Sequence, residues 1–232
     1  DQDVAIRSGR AYNQYCGVAR GLDLIGERWT LLIVRDLLVG PKRYKDLLKG
    51  LPGIGTNLLA TRLRELEQRE IVRRTVLPPP AGSTVYELTA IGRELEPALL
   101  AIGRWGARFL GQPRASDALL PTACFLALRA AFSPQAALGL TETYALHIGN
   151  QVFEVHIEDG QCTTSEGRMS TPDVVMTMDV LTLNALLMQG LPPSEALASR
   201  RVKIEGDSHA LERFVGVFSF SHVAQPSPGS AR

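Results

Sequence analysis

The chain is short of cysteine, of histidine and of long apolar runs, and each shortage closes off a class of protein. Its three cysteines, Cys16, Cys124 and Cys162, are odd in number and far apart, so they make neither a disulfide framework nor a zinc knuckle. No apolar stretch approaches the ~18 residues that a membrane-spanning helix needs, so no membrane partner is expected. The opening Asp1-Gln2-Asp3-Val4 has neither the basic region nor the apolar core of a signal peptide, and a reducing, cytoplasmic setting is expected. Four histidines form no evident triad, and Gly-x-Ser-x-Gly, a phosphate-binding glycine loop and His-Glu-x-x-His are all missing. A non-enzyme without catalytic residues, cofactor or metal is the expectation. Net charge is almost lacking as well, with 25 basic residues against 24 acidic ones.

That balance hides a split. Residues 1–110 hold 17 Lys and Arg against 12 Asp and Glu, whereas residues 111–232 hold 8 against 12. A basic front half joined to an acidic back half fits two domains with partners of different kinds, and 232 residues is long enough for both. The polar, aperiodic stretch 111–117 is read as the linker between a domain at 1–110 and one at 118–223. Residues 224–232 carry nothing worth burying and are read as a flexible tail.

The front half reads as helices with one hairpin. Val18, Leu22 and Ile25 recur at helical spacing, and a second apolar segment runs from Trp29 to Val39 before Gly40-Pro41. A short helix carries Tyr44, Leu47 and Leu48. The next spans about Thr56 to Arg69, with Leu59, Leu63 and Leu66 as its buried stripe and Asn57, Ala60, Thr61 and Arg64 on another face. Two strands, Ile71 to Leu77 and Thr84 to Leu88, flank a proline-rich tip. One long helix, about Ile91 to Leu110, bears Leu95, Leu99, Ile102, Trp105 and Phe109, a stripe that needs a cover. Pro97 is tolerable in its first turn and otherwise kinks it.

Short helix, turn, helix and two-stranded wing make a winged helix-turn-helix, whose second helix reads the DNA major groove. Thr56, Asn57, Ala60 and Thr61 are small enough for close approach, while Asn and Arg make bidentate bonds to base edges. Residues 42–74 hold nine basic residues against four acidic ones, so the positive excess is focused in one stretch, as phosphate contact requires. The expected contacts to double-stranded DNA are Lys42, Arg43, Lys45, Thr56, Asn57, Ala60, Thr61, Arg62, Arg64, Arg73, Arg74 and Ser83.

Tyr15-Cys16-Gly17-Val18-Ala19-Arg20 and Leu24-Ile25-Gly26-Glu27-Arg28-Trp29-Thr30-Leu31-Leu32-Ile33 resemble the opening of HxlR-type winged-helix regulators. So do Gly40-Pro41-Lys42-Arg43-Tyr44, Leu51-Pro52-Gly53-Ile54, Arg62-Leu63-Arg64-Glu65-Leu66-Glu67 and Tyr86-Glu87-Leu88-Thr89-Ala90-Ile91-Gly92. The resemblance covers about residues 12–110. It implies a homodimer, built from the first helix and the stripe from Leu95 to Phe109, on a roughly palindromic operator. Cys16 matches a cysteine that some members use as a redox sensor, and its position near a helix start favours the thiolate; a plain structural role is the other reading. Where members often carry Ser, this chain has Gly55, which leaves Thr56 as the candidate helix cap.

In the back half, Glu142 to Ile148 and Val152 to Ile157 surround Gly149-Asn150-Gln151, a hairpin signal. Tyr144, Leu146, Ile148, Phe153, Val155 and Ile157 share a face for burial. Thr143, Ala145, His147, Glu154 and His156 share the other, read as solvated, with the histidines at best diagonal neighbours ~7–8 Å apart, so no metal site is expected. Strands at about 161–165, 173–178 and 202–205, with helices at about 180–189, 193–199 and 208–218, give an α+β layout. All four methionines and six of the seven phenylalanines lie beyond Phe109, and such residues line adaptable apolar pockets or fill ordinary cores.

Tyr144-Ala145-Leu146-His147-Ile148-Gly149, Phe153-Glu154-Val155 and Asp173-Val174-Val175-Met176-Thr177-Met178-Asp179 resemble the sterol carrier protein type 2 fold. Leu181 to Leu187, Ala196-Leu197-Ala198, Val202-Lys203-Ile204-Glu205-Gly206-Asp207 and Leu211-Glu212-Arg213-Phe214 continue the likeness across about residues 119–220. It implies an apolar tunnel for a small molecule or lipid, lined from the region of Phe125, Met176, Met178, Leu183, Leu187, Phe214 and Phe218. The leading expectation is thus a dimeric transcriptional regulator, a repressor, that senses an apolar molecule. The alternatives are a lipid carrier whose winged helix docks proteins and a redox regulator acting through Cys16.

Overall fold

The computed structural model describes residues 11–78, 82–167 and 170–220. The hairpin tip at 79–81, Met169, residues 1–10 and the expected tail at 224–232 lie outside the described residues. Two compact units divide between Leu99 and Leu100, ahead of the stretch 111–117 that the sequence marks as a linker.

In the front unit, helices α1 (Gly17–Ile25), α2 (Thr30–Leu38), α3 (Tyr44–Gly50) and α4 (Thr56–Gln68) precede strands β1 (Val72–Val76) and β2 (Thr84–Leu88). The strands pair antiparallel, Val72 opposite Leu88 and Val76 opposite Thr84, and Lys42 bridges to Tyr86 through both backbone groups. Ile33, Val34 and Leu37 from α2, Leu47 from α3, Leu59, Leu63 and Leu66 from α4, and Val85 and Leu88 from the wing are buried. The apolar stripe expected on α4 is therefore the one that faces the core.

The single helix expected from 91 to 110 is two, α5 (Ala90–Arg93) and α6 (Glu96–Ala107). Thr89 caps α5 by accepting from the Gly92 amide, and its hydroxyl donates to the Glu70 carbonyl. Gly92 approaches β1 so closely that a β-carbon there would lie 2.1 Å from the Ile71 carbonyl oxygen. Pro97 falls in the first turn of α6, where an amide hydrogen would have no helical partner anyway.

The back unit holds α7 (Pro121–Ala131), β3 (Thr141–Ile148), β4 (Gln151–Glu158), β5 (Gln161–Glu166), β6 (Val174–Met178), α8 (Val180–Met188), α9 (Pro193–Ala198), β7 (Lys203–Glu205) and α10 (Ala210–Val217). The sheet runs β5-β4-β3-β6-β7, parallel only between β3 and β6. Tyr144 stands opposite Val155 and Leu146 opposite Phe153, so the expected apolar face exists. Phe125 of α7 meets Phe153 at 6.2 Å between ring centres, and Phe214 of α10 meets Tyr144 edge-on at 5.3 Å, so both helices cover that face. Glu142 is buried beside them. Arg213 forks onto its carboxylate at 2.5 and 3.2 Å and reaches Asp207 at 2.7 Å, while the Tyr144 hydroxyl donates to Glu142.

The opposite face is not simply solvated. Ala145, Thr143 and Glu154 are buried on it. Ser170 and Asp173, from the connection between β5 and β6, explain why: Ser170 donates to the Glu154 carboxylate from backbone and hydroxyl, and Asp173 accepts from the Thr143 amide. His147 faces Val152 and His156 faces Thr143, four residues along the ladder and so about 13 Å apart by strand rise, farther than diagonal neighbours. Among the described residues, no group of three or more His, Cys, Asp or Glu is placed to hold a metal, and no helix is long and apolar enough to cross a membrane.

Candidate functional site

Helix α4 has three differently employed sides. Its core side is Leu59, Leu63 and Leu66. On its open side Thr56, Asn57 and Arg64 are exposed and Ala60 and Thr61 half-buried. Thr61 donates to the Asn57 carbonyl at 2.9 Å, and Arg64 lies back along the helix with its guanidinium 3.3 Å from the Ala60 carbonyl. The Asn57 amide has no partner among the described residues. The cap is Gly55 rather than Thr56, and it contributes no side-chain bond, so the first-turn amides point outward with the positive end of the helix dipole. Tyr44 of α3 fixes this end by donating to the Thr56 carbonyl at 2.6 Å.

The third side faces the protein's own groups. Arg62 was expected among the DNA contacts, but its side chain is only 13% exposed and fully engaged. It bonds Glu27 and Glu65 at 2.7 Å each and the Arg28 carbonyl at 3.3 Å. Arg69, seven residues along the same side, donates to the Leu24 carbonyl. Sequence reasoning gave no role to Glu27, Arg69 or Tyr44; the seven-residue spacing from Arg62 on an amphipathic helix was the signal available for Arg69.

Around α4, Lys45 is exposed, while Lys42, Arg43 and Ser83 are half-buried. On the wing, Arg73 pairs with Glu87 at 2.9 Å and Arg74 with Glu67 of α4 at 3.0 Å; both arginine side chains are more than half exposed. Exposed pairs of this kind are worth about 0–1 kcal/mol, so a phosphate can replace either carboxylate at little cost. Beneath the helix-turn-helix, Asp36 is buried against Arg35 at 2.8 Å, and burial pushes its carboxyl above the usual range although Arg35 and Lys42 pull the other way.

Of the expected dimer stripe, Ile102, Trp105 and Phe109 are exposed, Leu95 is half-buried, and Leu99 is already covered by its own chain. Leu99 is thus a core residue here, because it faces inward one turn ahead of Ile102. Trp105 and Phe109 meet at a tilt of 59° with ring centres 5.0 Å apart, and Val18 and Leu22 leave α1 with an exposed apolar side as well. Cys16 stands exposed at the N-cap of α1 without a formal cap bond, yet the amides of Ala19 and Val18 hold its thiol below the ordinary value. In the back unit, Phe125, Met176, Met178, Leu183, Leu187, Phe214 and Phe218 are all buried in the layer between sheet and helices.

Residues 24–114 match the HxlR-like helix-turn-helix family, and residues 126–219 match the SCP-2 sterol transfer family. An uncharacterized HTH-type transcriptional regulator of Synechocystis, sll1512, is 38% identical over 105 residues, covering 45% of this chain and 78% of that one. The HTH-type transcriptional regulator YodB of Bacillus subtilis is 42% identical over 86 residues, 37% of this chain and 77% of that one. The solved structure of reduced YodB matches with 36% identity over 44% of this chain and 100% of that one, at a TM-score of 0.37. The chain therefore belongs to the HxlR-like helix-turn-helix family of DNA-binding transcriptional regulators, with a domain of the SCP-2 sterol transfer family behind its winged helix.

Proposed function

We propose that the chain represses transcription as a homodimer on a roughly palindromic operator, and that its SCP-2 unit senses an apolar small molecule or lipid. The observation that carries the DNA reading is the open side of α4. Thr56, Asn57 and Arg64 are exposed together at an uncapped helix start, with Arg73 and Arg74 on the adjoining wing. Asn pairs with adenine and Arg with guanine at base edges, and the outward amides with the basic wing suit phosphates. Occlusion of a promoter needs nothing beyond tight binding, whereas activation needs a further contact surface. Exposed Ile102, Trp105 and Phe109 support dimerisation, since a run of large apolar side chains in water is a contact surface in search of a partner. The match of the back unit to the SCP-2 sterol transfer family supports an apolar ligand.

A duplex enriched by the full chain from random-sequence DNA is the test. Asn57→Ala and Arg64→Ala should each cost about 1–3 kcal/mol on that duplex and relax base preference at one position. Sedimentation of the parent should show two chains per duplex. If Arg64→Ala binds as tightly as the parent, α4 does not read bases through this side; one chain per duplex sinks the dimer. A second reading, redox control through Cys16, rests on its exposure and its favoured thiolate.

A further inference from the structure

Arg62 looks like a phosphate contact in the sequence, yet in the fold its guanidinium is taken up by protein groups. It lies on the flank of the reading helix, one side chain holding a carboxylate of its own helix and two groups between α1 and α2. Its two terminal nitrogens take Glu65 and Glu27, and its inner nitrogen takes the Arg28 carbonyl. Arg69, two turns on along the same side, takes the carbonyl of Leu24, in the last turn of α1, where helical carbonyls have no intrahelical partner. Both arginines therefore fasten α4 to the single joint between α1 and α2.

That joint is itself constrained. Trp29 sits at φ 77°, a left-handed conformation that a bulky residue adopts only when its surroundings force it. The surroundings are visible: the carbonyl just before Trp29 is the one Arg62 holds, the Arg28 guanidinium lies 5.4 Å over the Trp29 ring, and the backbone at Gly53 packs beside the ring. The core stripe Leu59, Leu63 and Leu66 fixes the depth of α4, but leaves its rotation and slide to the contacts on its flank. Among those contacts are Arg62 and Arg69, beside Tyr44, which holds the start of the helix, and Arg74 of the wing, which pairs with Glu67.

We propose that Arg62 and Arg69 are positioning residues: they clasp the reading helix to the α1–α2 joint, so DNA affinity depends on Glu27, a residue that touches no DNA. The proposal rests on the reading of α4 as the DNA-reading helix. Its sign is what makes it decisive. Removing an acidic group from a basic DNA-binding domain strengthens binding if only the overall field matters. Removing Glu27 must weaken binding if it anchors Arg62.

The experiment uses the full chain and a duplex enriched from random-sequence DNA by the parent. Glu27→Gln should weaken binding about three- to tenfold, the modest scale expected for a pair whose acidic partner is 43% exposed. Arg62→Gln should weaken it at least as much with the salt slope unchanged, whereas loss of a phosphate contact flattens that slope by about 0.9. The double variant should bind no worse than Arg62→Gln alone. Glu27→Gln binding as tightly as the parent or more tightly, or a flattened slope in Arg62→Gln, overturns the clasp. Glu27→Gln removes no packing, so it decides the matter even where Arg62→Gln does not fold. A parent that binds no duplex removes the DNA reading instead, and the clasp is then decided by amide exchange. Faster exchange in both α4 and the last turn of α1 of Glu27→Gln supports it, and unchanged exchange overturns it.

Discussion

Three cysteines in one chain are placed in three different electrostatic settings. Cys16 is exposed, and the amides of Ala19 and Val18 lower its pKa; burial pushes Cys124 up to about 12 and Cys162 up to about 11. Because the thiolate is the reacting species, Cys16 should be alkylated at pH values below those at which a free cysteine reacts, while Cys124 and Cys162 stay inert at neutral pH. Peptide mapping after iodoacetamide treatment across pH 5–9 checks this. A free-thiol profile at Cys16, or equal labelling at Cys162, would remove the chemical basis for redox control. At this scale the sequence is a good guide to exposure on a helix and a poor guide to partners. Asn57 and Arg64 face outward as their spacing requires, because the core stripe fixes the opposite side. Arg62 has the same chemistry as Arg64 and a different fate, decided by Glu27, which lies 35 residues away in sequence and closes on it only in the fold.

Among elements, the contact of α10 with the sheet adds one buried carboxylate to its aromatic packing. Glu142 lies on the edge of the apolar face of β3, held by Arg213 of α10 and by Tyr144. Arg213→Ala leaves that carboxylate buried without its cation, a change that costs about 3–5 kcal/mol in a fully buried pair and about 2–3 here, since the arginine is partly exposed. Arg213→Ala with Glu142→Gln should recover part of the loss, because the uncompensated charge is gone. Chemical denaturation of both variants measures it, and a double variant no more stable than the single would show that packing, not charge, joins α10 to the sheet. Legibility at this scale follows the strength of periodicity. Alternation gave the hairpin of β3 and β4 its register and faces, and the leucine stripe gave α4. Helix α7 went unread because it is apolar nearly all round, which erases the helical period; Pro121 at its first turn was the one signal left. The break between α5 and α6 was only half legible, since Pro97 was read as tolerable in a first turn without that turn being placed at Glu96. The burial of Glu154 and Thr143 was hidden by a connection that alternation says nothing about.

At the scale of the whole molecule, the chain pairs a DNA-binding unit with one whose family transfers sterols, and the division between them runs through α6. Trp105 stands exposed on this helix and Phe109 exposed in the turn that follows it, where the chain enters the back unit. On the proposed sensing function, a ligand that stabilises one arrangement of this helix over another would alter the distance between the two reading helices of a dimer. It can alter DNA affinity only by the factor by which its own affinity differs between the DNA-competent dimer and the incompetent one. The expected coupling is about 1–3 kcal/mol, or roughly 5–150-fold. Linkage makes the test two-sided: apolar material that travels with the purified full chain, identified by native mass spectrometry and returned to stripped protein, should shift the affinity for the enriched duplex, and the duplex should shift the affinity for that material by the same factor. Equal shifts in both directions establish sensing. A molecule that binds the stripped chain and leaves DNA affinity unchanged sinks it, and leaves the back unit as a carrier fused to a DNA-binding domain, because binding energy that is the same in both states moves no equilibrium.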